Sequence, residues 1–72
     1  MKKYRLAFYE GGKFSHFIGA SHSTKAAAMA AFEDICDDLR DLFEISLDGR
    51  ESMTYNRYGT VCAVCIEESE EK

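Results

Sequence analysis

Apolar and polar positions alternate with different periods along this chain, and each change of period marks an element. Tyr4, Leu6 and Phe8 interleave with Arg5, Ala7 and Tyr9, a period of two that predicts a strand. Glu10-Gly11-Gly12-Lys13 follows, and the paired glycines reach the positive φ angles that a tight turn needs. Phe14, His16 and Ile18 then interleave with Ser15, Phe17 and Gly19 in a second strand that ends in Gly19-Ala20-Ser21-His22. The pair is a hairpin.

Ser23 or Thr24 can cap a helix, because a hydroxyl accepts a bond from one of the first unpaired N–H groups. Lys25-Ala26-Ala27-Ala28-Met29-Ala30-Ala31-Phe32 follows, rich in the strongest helix former and free of Gly and Pro. On a helical wheel Ala28, Phe32, Ile35, Cys36, Leu39, Leu42 and Phe43 share one arc of about 120°, which carries the helix to about residue 44. Residues 45–50 read as a helix exit and turn, with Gly49 free to turn left-handed. Ser52-Met53-Thr54-Tyr55-Asn56 alternates as a third strand, and Arg57-Tyr58-Gly59 reverses the chain. Thr60-Val61-Cys62-Ala63-Val64-Cys65-Ile66 is apolar on both faces, the mark of a central strand covered on both sides.

These elements give an α+β fold in ββαββ order, a small single domain whose antiparallel sheet carries one amphipathic helix on one face. The domain takes in residues 1–66. Residues 67–72, mostly glutamate, read as an acidic C-terminal tail that frays. A single helix leaves the second sheet face open. Self-association, a partner, or folded-over aromatics from among Tyr4, Tyr9, Phe17, Tyr55 and Tyr58 would cover it.

Composition narrows the function classes. The 72 residues include 46% hydrophobic and 31% charged side chains, the balance of a globular chain with room for one core. There is no apolar run of membrane-spanning length and no secretory signal, so a cytoplasmic location is expected. Three cysteines cannot all pair within the chain, which argues against a disulfide scaffold.

The most informative pattern is a stripe of acids. Glu33, Asp34, Asp37, Asp38, Asp41 and Glu44 lie opposite the apolar arc, with Arg40 the single base among them. Along a helix they would span about 16 Å, or about one charge per 3 Å, near the charge spacing of one nucleic-acid strand. Anions crowd the second half of the helix and Lys25 sits in the first turn, against the helix dipole. Such a stripe serves solubility, or it is a binding face for a basic surface, helix stability being sacrificed for the contact.

Other chemistry fares worse. Cys62-Ala63-Val64-Cys65 has C-x-x-C spacing, but strand residues three apart point to opposite faces, and only Cys36, His16 and His22 remain to complete a zinc site. His22 with its neighbouring serines has no orienting acid or oxyanion hole. Arg57-Tyr58-Gly59-Thr60-Val61 faintly echoes an RNA-binding strand, yet the second aromatic is absent and the net charge is −4. No catalytic residue, metal or cofactor is expected.

In size and charge the chain resembles the accessory proteins of phages and mobile elements, including anti-CRISPR-type inhibitors; no residue motif carries over. The expected function is that of a non-enzymatic binding protein. Its acidic helix face would dock, as a nucleic-acid mimic, on the basic surface of a larger nucleic-acid-binding protein and block it, with Phe17, Tyr55 and Tyr58 as apolar anchors. No direct contact with nucleic acid or membrane is expected. The alternative is an assembly module that homodimerises through an apolar sheet face.

Overall fold

The computed structural model describes residues 1–49 and 51–70. Strand β1 (Lys2–Glu10) and strand β2 (Lys13–His22) form the expected hairpin, helix α1 spans Lys25–Arg40, and β3 (Ile45–Leu47), β4 (Ser52–Arg57) and β5 (Thr60–Glu70) follow. All pairs are antiparallel, and the strand order is β2-β1-β5-β4-β3.

The helix begins where the sequence says it should. Thr24 is the cap, its Oγ1 accepting from the Ala27 N–H at 3.2 Å. Ala28, Phe32 and Cys36 face inward at helical spacing. They close over Leu6 and Phe8 of β1, Met53 and Tyr55 of β4, and Cys62 and Val64 of β5. Register fixes that grouping: Leu6 lies opposite Ile66, Phe8 opposite Val64, and Tyr55 opposite Cys62, so all share one sheet face.

Four expectations change. The helix stops at Arg40 rather than near 44, where Leu42 and Phe43 both donate to the Leu39 carbonyl. Phe43 folds back onto Tyr55 at 5.0 Å between centroids, while Leu42 is 74% exposed.

Residues 45–47, expected as a helix exit, are a short edge strand paired with β4, which makes the order ββαβββ. Its turn relies on Gly49 at φ +75°. Arg50, part of the same expected turn, lies outside the described residues, as do Glu71 and Lys72 of the expected tail.

The tail is the third change. Residues 67–70 do not fray: they continue β5 in register with β1, Arg5 opposite Glu67 and Lys2 opposite Glu70. Opposite charge holds them there, through Lys2–Glu68 at 3.1 Å and the N-terminal ammonium to Glu70 at 3.6 Å. The fourth concerns cover. β5 is central, but its outer side is only partly shielded and Val61 is exposed. The second strand also runs on to His22 by a bulge at Gly19, φ +71°.

Candidate functional site

The structure divides the nine proposed contact residues among three places. Glu33, Asp34, Asp37 and Asp38 are exposed on α1, while Asp41 caps its end and Glu44 lies beyond it. The stripe is therefore a four-residue helical face continued by an irregular segment. Tyr58 joins it: its ring meets Phe43 edge-on at 6.4 Å, beside Glu44. Phe17 sits on the opposite side of the sheet, opposite Ala7 of β1. Tyr55 is the outright correction. Only 7% exposed, it is a core residue under α1 and Phe43 and offers nothing to a partner.

Charge pairing separates the stripe from the glutamates elsewhere. On the strands Glu10 meets Arg57 at 2.6 Å and Glu68 meets Lys2, and in the turn before β4 Glu51 pairs with Lys25 of α1. Glu67 accepts from the Tyr9 hydroxyl, a bond that pushes the phenol up from 10.0 to about 12. Of the six stripe acids, among the described residues, Asp37 alone has a cation, Arg40 at 2.8 Å. Two dipole arguments are softened by these pairs: Lys25 in the first turn is answered by Glu51, and Arg40 stands in the last. The residual mismatch is carried by Asp38 and Asp41.

A groove of about 600 Å³ runs beside the acids, between Met29, Phe32 and Cys36 of α1 and Leu47 of β3, with Glu33, Asp37 and Arg40 on its rim. Sequence reasoning missed it because it depends on β3. The signal was the alternation of Ile45, Ser46 and Leu47, too short to stand alone.

Tyr58 is also held against its preference. The β4–β5 turn is two residues, Tyr58 at φ 50° and Gly59 at φ 89°, with Asn56 Oδ1 accepting the Gly59 N–H at 2.9 Å. Both angles belong to a type I′ turn, whose first position suits Asn, Asp or Gly. A tyrosine there is costly, and at 95% exposure its packing does not repay the strain.

On the outer sheet face Tyr9 and Phe14 pack edge to face at 5.7 Å between centroids, and Phe14 and Phe17 lie tilted at 4.9 Å. The Arg5 guanidinium lies 4.0 Å over the Phe17 ring, and its Nε is buried without a hydrogen-bond partner. Phe14 was not anticipated there, because a register shift at Ser15 turns it to this face. Of the other aromatics expected to fold over this face, Tyr4 shares the helix side with Leu6, and Tyr58 stays at its turn.

Cys62 points into the core and Cys65 to the outer face, as strand spacing requires. Burial pushes the Cys36 and Cys65 thiols up, away from the reactive thiolate. His16 leans on Phe8 at 5.2 Å with Nδ1 3.0 Å from Ser15 Oγ. Among the described residues no three His, Cys, Asp or Glu side chains converge as a metal site, and no helix is long and apolar enough to cross a membrane. No family model, curated protein or solved structure matches the chain.

Proposed function

We propose that this protein is a non-enzymatic binding protein whose acidic helix face docks on the basic, nucleic-acid-binding surface of a larger protein and occupies it. The observation that carries this reading is the pairing contrast. The sheet's glutamates have partners, whereas Glu33, Asp34, Asp38, Asp41 and Glu44 have none among the described residues. Unpaired carboxylates keep their full field, which speeds encounter with a cationic groove and makes it salt-sensitive.

Affinity comes from elsewhere. The groove beneath Glu33 and Asp37 takes an apolar side chain of the partner, and Tyr58 projects as an anchor at the far end of the stripe. The size and charge shared with anti-CRISPR-type inhibitors of phages and mobile elements fit the same role.

The test is capture from a bacterial lysate by the wild type and by a variant carrying Asp34→Asn, Asp37→Asn, Asp38→Asn and Asp41→Asn. The expected result is one nucleic-acid-handling protein held by the wild type, released by added DNA or RNA, and absent with the variant. Equal capture by both proteins, or indifference to added nucleic acid, overturns the reading.

A further inference from the structure

We infer that the outer face of the sheet is the interface of a two-fold dimer of this chain, sheet packed on sheet with both helices turned outward. This goes beyond the acidic-face reading and does not rest on it.

A two-fold interface meets itself, so one surface must hold both a knob and its hole. The β1–β2 half of this face carries a ridge of Tyr9, Phe14 and Phe17, with Arg5 laid over the last ring. The β5–β4 half is lined by small side chains, Ala63 and Thr54, which lie opposite each other in register. A two-fold axis parallel to the strands, passing over central β5, lays each ridge on the other copy's shelf.

Strands of nine, ten, three, six and eleven residues, at about 3.4 Å per residue and about 4.8 Å spacing, present roughly 640 Å². A standard stable interface buries about 800 Å² per partner. The face is large enough when its rims contribute.

Two alternatives are weaker on the same surface. Growth through the sheet edges is blunted, since β2 is broken by two register shifts and β3 is three residues long. Base stacking by a single-stranded nucleic acid needs open ring faces, whereas these rings are packed against one another and Arg5 covers Phe17. Charge permits the dimer as well. Glu33, Asp34, Asp37 and Asp38 lie on the helix side of each copy, well past a Debye length of about 8 Å from their counterparts, Glu44 stands at the β3–β4 rim of the face, and Glu67 within it is bonded to the Tyr9 hydroxyl.

Sedimentation velocity of the full chain from low to high micromolar tests the inference, with Phe17→Glu and Val61→Lys as variants. Both positions are exposed on this face, so the core is untouched, and circular dichroism checks that the fold persists. The expected species has twice the 8.2 kDa chain mass, and each variant raises its dissociation constant at least about tenfold, the effect of burying one unpaired charge. Asp34→Asn leaves it unchanged. A monomer throughout, or a dimer that both variants leave intact, overturns the inference. So does a monomer that binds single-stranded nucleic acid through Phe17. Because the stripe and sheet variants are separate, either reading can fail alone.

Discussion

The strands and the helix of this molecule handle charge in opposite ways. On the strands, Lys2, Arg57 and the N-terminus each have a carboxylate, and Glu67 has a phenol. On the helix, one guanidinium serves six acids. The sheet surface offers rings, and the helix surface offers field. Folding needs the first arrangement, since pairing holds residues 67–70 on β1. It does not need the second, because the helix is fixed by Ala28, Phe32 and Cys36 from beneath.

The strongest way to break the comparison is through two phenylalanines on opposite sides. Phe32→Ala, beneath the helix, should lower unfolding free energy by about 3–5 kcal/mol, read in a urea titration. Phe17→Ala, on the outer face, should cost only about 1 kcal/mol in the dilute monomer, since 38% of the residue is exposed. Equal losses would mean that the outer ridge is as much core as the helix side.

Tyr58 sharpens the contrast between stability and contact. Tyr58→Asn places a residue tolerant of positive φ in the turn and should raise stability by about 1 kcal/mol. It should also weaken capture of the partner. A destabilised variant would show that the ring contact with Phe43 outweighs the strain.

The acids themselves come next. Asp38→Asn with Asp41→Asn should raise the thermal midpoint by about 4–8 °C, because together they oppose the helix C-terminus by about 1 kcal/mol. Glu68→Gln, on the paired surface, should lower it slightly. If both changes move the midpoint the same way, the pairing contrast carries no energetic meaning.

The smallest effect is a titration. Tyr9 is held protonated chiefly by its bond to Glu67 and then by burial, so its contribution is complete below pH 10.0 and is lost as pH rises toward about 12. Ultraviolet absorbance of the phenolate should show one late tyrosine, restored to ordinary behaviour by Glu67→Gln.

Much of this was legible in the sequence. The hairpin and the divergent cysteines follow from periods of two and from glycine placement, and the cap, narrowed to Ser23 or Thr24, from a hydroxyl before an alanine-rich run; all are local properties. What escaped was set by distant partners. The helix end depends on Phe43 folding back onto Tyr55 of β4, although Leu42 and Phe43 continue the stripe in the sequence. The glutamates at 67–70 look like a tail until Lys2, Lys3 and Arg5 are laid beside them. Tyr55 reads as an available aromatic because alternation gives the face but not the side on which the helix lies.

The position of β5 governs the order of assembly. It is the last strand in the chain, yet it sits between β1 and β4. Until residues 60–70 arrive, the hairpin and helix on one side and the β3–β4 pair on the other share no hydrogen-bonded ladder. The ladder that joins β5 to β1, from Glu10 opposite Cys62 to Lys2 opposite Glu70, has a long sequence separation throughout, and its loop-closure entropy falls on a single late event. Folding should therefore be slow for so small a chain, and the ribosome-bound intermediate should hold an unzipped sheet exposing Leu6, Phe8 and Met53 to any chaperone within reach.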